Sequence, residues 1–181
     1  VLYEGKPVRT PDAGAFWRVC AEYRGNVLFA APTAFRAIRK EDADARLLEN
    51  HDLSSLQRIF MAGERLDPAT YQWTKDSLGK PVIDHWWQTE TGWAICGNLC
   101  GVEMKTPKPG SANLPMPGFA IHILDEDGQS VAPGKQGSIA IKLPLPPACL
   151  PTIWDDFERF HSDYLEAFPG YYVTGDGGYI D

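Results

Sequence analysis

Hydroxyl and carboxylate side chains directly follow an apolar run in residues 84–92, DHWWQTETG. Thr89 and Glu90 come after two adjacent tryptophans, at the point where a buried strand would end. Open α/β sheets bind their ligands outside the carboxyl ends of their strands. We therefore interpret Thr89 and Glu90 as part of a ligand site. The alternative interpretation is an ordinary strand-to-loop exit with solvated polar residues.

A second candidate lies in residues 172–181, YVTGDGGYID, where Asp176 stands between Gly175 and Gly177. Glycines on both sides would let the backbone adopt unusual torsion angles and approach a ligand closely. The same letters also suit a plain glycine-rich hairpin. On this stretch alone, a ligand-binding carboxylate and a simple hairpin both stay open.

The elements that would position these residues alternate between helix and strand in the first half of the chain, which predicts parallel βαβ units. Asp67 and Pro68 form a typical helix start, and Gly79 stands where that helix would end. The predicted elements are a helix from Asp12, a strand at 26–31, a helix at 32–39, a strand at 56–62, a helix between Pro68 and Gly79, and a strand at 81–87.

The second half has a different character. Residues 105–118 are rich in Pro, Gly and Ser, which excludes long regular structure there. Beyond them we expect a small antiparallel β-barrel-like unit, so the predicted domains are 1–104 and 105–181. Its expected elements are a hairpin turning at Asp127-Gly128, a strand at 137–143, a helix within 155–168, and a strand–turn–strand around Gly177-Gly178.

Composition limits the function classes. A formal net charge of −7 over 181 residues argues against a general nucleic-acid or anionic-membrane binder, because such a protein needs a basic face. No stretch is long and apolar enough for a membrane span, and no signal sequence opens the chain. Cys96 and Cys100 could be half a metal site, but no second close pair accompanies them, so reduced thiols are the default for the four cysteines.

Four stretches, taken in order and spacing, resemble the adenylate-forming acyl-CoA synthetases, and most closely their short-chain acetyl- and propionyl-CoA branch. Three shorter stretches, at 31–38, 108–112 and 142–147, extend the resemblance to essentially the whole chain. The four main stretches are VLYEGKP (1–7), MAGERLDP (61–68), DHWWQTETG (84–92) and YVTGDGGYID (172–181).

The resemblance implies an α/β fold, forming part of a large N-terminal domain, and a two-step reaction. A carboxylate attacks the α-phosphate of ATP held with Mg²⁺, which gives an acyl-adenylate and pyrophosphate. The thiol of coenzyme A then displaces AMP. No side-chain nucleophile is needed, so catalysis comes from positioning and from neutralising phosphate charge. The expected location is the cytoplasm, or the mitochondrial matrix in a eukaryote.

The resemblance also gives each motif residue a role. Thr89 matches the residue that meets the α-phosphate, and Glu90 matches the acidic Mg²⁺ contact. Asp176 matches the carboxylate that binds both ribose hydroxyls. Ala62 and Trp87 match residues of the acyl pocket. The residues that match the rest of the nucleotide site are Gly63, Glu64, Arg65, Asp84, His85, Trp86 and Gln88.

Propionate is the expected acid. Ala62 stands where acetate-activating members resemble VGEP with valine, and the smaller side chain leaves room for one more substrate methylene. Trp87 would block anything much longer. The alternatives are acetate or another small acid within the same family, and, from a different class, a non-catalytic nucleotide-binding or scaffold domain.

The chain looks like an internal piece of a larger protein. VLYEG at 1–5 resembles a strand already under way, and the chain stops at GYID. The family's phosphate loop ending in Pro-Lys-Gly and its lysine-bearing C-terminal domain are not among these residues. We therefore expect the 181-residue piece alone to be inactive as a ligase.

Overall fold

The computed structural model describes residues 1–181 and divides into two units. The first unit contains residues 1–87 and 96–114, and the second contains residues 88–95 and 115–181. The segment that carries Thr89 and Glu90 therefore belongs with the antiparallel strands of the second unit. The expected domains 1–104 and 105–181 stay a prediction.

The first unit is built on three parallel strands in the order β1 (Val27–Ala30), β2 (Arg58–Met61) and β3 (Val82–Asp84). Register pairs Ala30 with Met61 and Met61 with Asp84, so the three strands end level with one another. The predicted parallel arrangement is confirmed. The residues that follow β2 and β3 consequently lie at one edge of this sheet.

Helices α1 (Ala15–Glu22), α2 (Pro32–Glu41) and α3 (Pro68–Leu78) belong to this unit, with a short 3₁₀ helix at Arg46–Asn50. Local signals set the limits of α3. The Asp67 carboxylate accepts a hydrogen bond from the Thr70 amide at 2.9 Å, and Gly79 ends the helix with φ of +61°. The core of the unit consists of fully buried side chains, among them Trp17, Phe35, Ile38, Leu56, Ile59, Met61, Leu66 and Val82.

The second unit contains the antiparallel strands β7 (Ile121–Leu124), β8 (Gly137–Lys142) and β9 (Tyr171–Gly178), with β8 in the middle. Helix α4 (Phe157–Tyr164) precedes β9, and the Asp156 side chain caps it by accepting from the Arg159 amide at 3.1 Å. The α/β fold with a parallel part followed by an antiparallel part is thus confirmed. Three short strands complete the inventory: β4 (Trp86–Trp87), β5 (Ala94–Gly97) and β6 (Leu114–Pro115).

Several predicted elements need correction. Residues 1–5 form no strand, and α1 begins at Ala15 rather than at Asp12. The strand expected at 81–87 is interrupted at His85, which separates β3 from β4. The strand–turn–strand expected around Gly177-Gly178 is one strand with a bulge, because glycine fits a bulge as readily as a turn. None of the four helices has the length and apolar character that crossing a membrane requires.

Candidate functional site

The loop that carries Thr89 and Glu90 is a single 3₁₀ turn, Thr89–Thr91, fastened by hydrogen bonds at both ends. The buried Thr91 hydroxyl accepts from the Gln88 amide at 3.2 Å and lies 2.9 Å from the Trp93 carbonyl. Gly92 closes the turn with φ of +67°, and a Cβ there would lie 2.5 Å from the Ala148 carbonyl oxygen. Glycine is therefore required at 92, and the loop can pack closely against residue 148.

Within this turn the two predicted catalytic residues have different surroundings. Thr89 is exposed, whereas Glu90 is half-buried. The Glu90 carbonyl accepts from the Leu150 amide at 2.6 Å, which fixes its backbone. Its side-chain Oε1 accepts from the Tyr164 hydroxyl at 3.1 Å. The Glu90 carboxylate is therefore held by a side chain from α4, a contact that sequence reasoning missed.

Asp176 projects from a bulge in β9. The register shows three residues, Thr174 to Asp176, opposite the single residue Ile139 of β8. The Thr174 hydroxyl donates to the Ile139 carbonyl at 2.8 Å and accepts from the Asp176 amide at 3.1 Å, while Gly175 takes φ of +75°. Bulges commonly re-aim a side chain next to a functional site. Here the bulge leaves the Asp176 carboxylate exposed.

Gln88 joins this bulge to the Thr89–Thr91 turn. Its Nε2 donates to the Thr174 carbonyl at 2.6 Å and to Asp176 Oδ2 at 2.8 Å. Its Oε1 accepts from the Tyr172 hydroxyl at 3.1 Å. Both amide hydrogens and the amide oxygen are thus engaged, which fixes the orientation of the amide. The second unit thereby brings together three predicted site residues: Gln88, Glu90 and Asp176.

Two stacked tyrosines, Tyr164 and Tyr172, contact this cluster through their hydroxyls. The rings of Tyr164 and Tyr172 are 5.5 Å apart and nearly parallel, at 5°. Burial raises the pKa of Tyr164, and the hydrogen bond to Glu90 raises it further. Burial also raises the pKa of Tyr172, which is fully buried, and the nearby Glu90 charge adds to the effect. Both hydroxyls therefore stay protonated at neutral pH and act as hydrogen-bond donors.

In the first unit, residues 62–65 follow β2 at the edge where the three parallel strands end. Ala62 is buried, and Gly63 turns the chain with φ of +96°. The Glu64 carboxylate is engaged by helix α2, since Oε1 accepts from the Thr33 amide at 2.7 Å and Oε2 from the Arg36 guanidinium. Glu64 therefore fastens the start of α2 to the end of β2.

Asp84 and His85 lie at the end of the neighbouring strand. Burial raises the pKa of Asp84 to about 6, and the positive charge of Arg65 partly opposes that rise. His85 is almost fully buried, its Nδ1 lies 2.8 Å from the Met61 carbonyl, and its ring meets Phe29 and Phe60 edge-on. Burial lowers the pKa of His85, so the ring is neutral at pH 7 and acts in packing.

The tryptophans complete the predicted residues of this unit. Trp86 and Trp87 form β4, and both are half-buried. The indole nitrogen of Trp87 is buried and donates to no protein atom. The predicted acyl-pocket residue Trp87 thus has an unused donor beside its large apolar ring, which suits contact with a small ligand.

The cysteines contribute no metal site. All four are free thiols, and the structure holds no group of three or more His, Cys, Asp or Glu side chains that could bind an ion together. Burial raises the pKa of Cys96 and of Cys149, which makes both thiols unreactive.

Comparison with known proteins defines the class. Residues 1–145 match the family model described as AMP-binding enzyme, so the chain belongs to that family. The chain also superposes along its whole length on 32% of an anthranilate CoA ligase crystallised with anthranoyl-AMP, with a TM-score of 0.80 and 25% identity. The predicted resemblance to adenylate-forming enzymes is confirmed by both findings.

Individual relatives lie in the short-chain branch. The chain is 49% identical over 182 residues to the mitochondrial acyl-CoA synthetase short-chain family member 3 of Homo sapiens. It is 39% identical over 183 residues to the propionate–CoA ligase of Salmonella typhimurium. In both comparisons the whole chain is aligned, and it spans 26% and 29% of the relative's length respectively. The chain thus spans little more than a quarter of these curated relatives.

Proposed function

We propose that this chain is part of a longer AMP-forming acyl-CoA synthetase that activates propionate with ATP and passes the acyl group to coenzyme A. The observation that carries the proposal is the cluster in the second unit. One amide side chain, Gln88, binds Asp176 directly and precedes the turn that carries Thr89 and Glu90. Hydrogen bonds thus hold the Glu90 and Asp176 carboxylates within one unit, and this supports the metal role proposed for Glu90 and the ribose role proposed for Asp176.

The proposed chemistry balances without a protein nucleophile. A propionate oxygen attacks the α-phosphorus of ATP, the bond to the bridging oxygen breaks, and pyrophosphate leaves. The coenzyme A sulfur then attacks the acyl carbon of propionyl-adenylate, and AMP leaves with the carboxylate oxygen. The exposed Thr89 hydroxyl donates to an α-phosphate oxygen, and Asp176 accepts hydrogen bonds from both ribose hydroxyls.

Glu90 fits a Mg²⁺ contact. A hard cation takes oxygen ligands, and Mg²⁺ in nucleotide sites is commonly held by one or two carboxylates together with phosphate oxygens and water. The Tyr164 hydroxyl donates to Oε1 of the half-buried Glu90 carboxylate, so the direction of the carboxylate is set. When bound there, Mg²⁺ would neutralise phosphate charge during the first step.

The residues that we propose for adenine binding all belong to the first unit. Gly63 and Arg65 follow β2, Asp84 ends β3, and Trp86 offers a flat face for a base. Glu64 contributes through its backbone, since its carboxylate is bound to α2. His85 shapes this edge by filling the space between Phe29 and Phe60.

Propionate is proposed from the acyl-pocket residues together with the relatives. Ala62 is buried and small, and Trp87 is large, which suits a short acid with one methylene more than acetate. A relative 39% identical is named propionate–CoA ligase, whereas the human relative is named only as a short-chain synthetase. Acetate and other small acids are the competing substrates. We place the protein in the cytoplasm of a bacterium or in the mitochondrial matrix of a eukaryote.

The test uses the full-length protein that contains this chain. We expect pyrophosphate to exchange into ATP only when a small carboxylic acid is present, with propionate giving a higher kcat/KM than acetate or butyrate. Exchange that is independent of any acid, or none with all three acids, would overturn the proposal. Nucleotide binding without exchange would favour the non-catalytic alternative.

A further inference from the structure

A continuous set of contacts links the Glu90 carboxylate to the Asp176 carboxylate through two tyrosines. The Tyr164 hydroxyl binds Glu90, the Tyr164 ring stacks on Tyr172, and the Tyr172 hydroxyl binds Gln88, which in turn binds Asp176. No motif of the sequence analysis includes Tyr164, and it lies 74 residues from Glu90 along the chain. The Glu90 and Asp176 carboxylates, which have different expected roles, are thus supported by the same pair of tyrosines.

Helix α4 holds Tyr164 in place. Phe160 is buried, and its ring lies 5.9 Å from that of Tyr164, four residues further along the same helical face. The Asp156 carboxylate caps α4 by accepting from the Arg159 amide, and the exposed ion pair between Arg159 and Asp163 also supports the helix. Neither interaction involves the Phe160 or Tyr164 side chain. Tyr164 therefore packs against both the Phe160 ring and the Tyr172 ring.

Tyr172 is fixed even more firmly. It is fully buried, and strand alternation sends its neighbour Tyr171 to the opposite face, where the ring centroids of Tyr171 and His122 are 5.3 Å apart. The Tyr172 hydroxyl binds Gln88 Oε1, which compels Nε2 to point its two hydrogens at Thr174 and Asp176. The hydroxyl therefore determines which end of the Gln88 amide faces the Asp176 carboxylate.

We propose that Tyr164 and Tyr172 are positioning residues with separate tasks: Tyr164 aims the Glu90 carboxylate, and Tyr172 aims the Asp176 carboxylate by orienting the Gln88 amide. This inference rests on the proposed function, in which Glu90 meets the metal and Asp176 meets the ribose. Neither tyrosine touches the reacting atoms. Each sets the direction of a charged oxygen, and preorganised charge is what such a reaction needs.

The test removes one hydroxyl at a time from the full-length protein while keeping both rings. Tyr164→Phe should raise the Mg²⁺ concentration needed for half-maximal adenylation and lower kcat, each by about tenfold, with KM for ATP little changed. Tyr172→Phe should raise KM for ATP by about tenfold and leave the Mg²⁺ requirement nearly unchanged. Tyr171→Phe is the matched control, since it removes the same hydroxyl group from the opposite face, and it should change neither quantity.

An effect of Tyr164→Phe on the Mg²⁺ requirement and of Tyr172→Phe on KM for ATP distinguishes a positioning role from a general loss of stability. A merely structural role would lower both half-reactions together and would also lower the thermal unfolding midpoint, so both are measured for each variant. If Tyr164→Phe and Tyr172→Phe affect Mg²⁺ and ATP alike, or resemble Tyr171→Phe, the inference is wrong while the proposed function stands. If the unaltered protein shows no acid-dependent exchange, the proposed function itself fails.

Gln88→Glu gives an independent check that does not depend on the tyrosines. The variant would set a carboxylate against Asp176 Oδ2 and the Thr174 carbonyl, where the amide now donates twice. We expect a larger rise in KM for ATP than with Tyr172→Phe, because two like charges would face each other where the amide now donates to Asp176. An unchanged KM for ATP would contradict the assigned orientation of the amide.

Discussion

Replacing Glu90 by glutamine removes one negative charge and almost nothing else. The amide oxygen of glutamine can still accept from the Tyr164 hydroxyl, which now lies 3.1 Å from Glu90 Oε1. The backbone bond from the Leu150 amide to the residue 90 carbonyl does not involve the side chain. We therefore expect the turn to keep its shape and the stability to fall by no more than about 1 kcal/mol, the difference between a charged and a neutral hydrogen bond.

The expected loss lies in the first chemical step. One preorganised charge at a phosphoryl-transfer site is worth about 3–4 kcal/mol of transition-state stabilisation, or roughly two to three decades in rate. Pyrophosphate leaves in that step, and neutralising its charge is the task proposed for Glu90 with Mg²⁺. Formation of the thioester from supplied propionyl-adenylate involves no pyrophosphate, so it should lose much less.

The assay measures the two half-reactions separately in the full-length protein. Adenylation is followed by propionate-dependent exchange of pyrophosphate into ATP, and thioester formation by coenzyme A consumption from synthetic propionyl-adenylate. Glu166→Gln is a suitable control, since Glu166 is an exposed glutamate of the same unit. Equal losses in both half-reactions, or a large drop in the unfolding midpoint, would refute the reasoning by making Glu90 structural.

Three further predictions concern the length of the acyl substrate, the activity of the 181-residue chain alone and the pH dependence of stability. Ala62→Val should shift the kcat/KM ratio of propionate to acetate toward acetate by about tenfold, because it refills buried volume; an unchanged ratio would show that Ala62 does not set acyl length. The 181-residue chain alone should release no pyrophosphate with ATP and propionate, since the relatives are more than three times longer, and any acid-dependent release would contradict this. Asp84 has a raised pKa of about 6, so it destabilises the fold as pH rises from about 4 to 6. Asp84→Asn should therefore raise the free energy of unfolding by up to about 3 kcal/mol at pH 7.5 and by little at pH 4. Equal unfolding midpoints for the two proteins at pH 7.5 would rule this out.

Local signals allowed much of the fold to be predicted. Asp67, Pro68 and Gly79 set the limits of α3 through a side-chain cap, a fixed φ and a left-handed residue, all of which depend on neighbours within the segment. The parallel arrangement followed from the alternation of elements. The motif around Thr89 and Glu90 was likewise visible, because its residues are adjacent in sequence.

The features that escaped prediction depend on distant partners. The bulge at Thr174–Asp176 exists because the Ile139 carbonyl of β8 accepts a hydrogen bond from the Thr174 hydroxyl. The letters TGDGG alone fit a turn equally well. The Tyr164 contact to Glu90 requires knowing where α4 lies. Glu64 was predicted beside the nucleotide, and its engagement by Thr33 and Arg36 depends on tertiary packing as well.

The fate of one oxygen atom tests the central claim most directly. Full-length protein is supplied with ATP, coenzyme A and propionate labelled with ¹⁸O in its carboxylate, and the products are analysed by mass spectrometry. Attack of the carboxylate on the α-phosphorus, followed by displacement by the thiol, predicts that each AMP formed carries one ¹⁸O atom while pyrophosphate carries none. Label in inorganic phosphate, or unlabelled AMP alongside propionyl-CoA, would contradict an acyl-adenylate and with it the roles proposed for Thr89, Glu90 and Asp176.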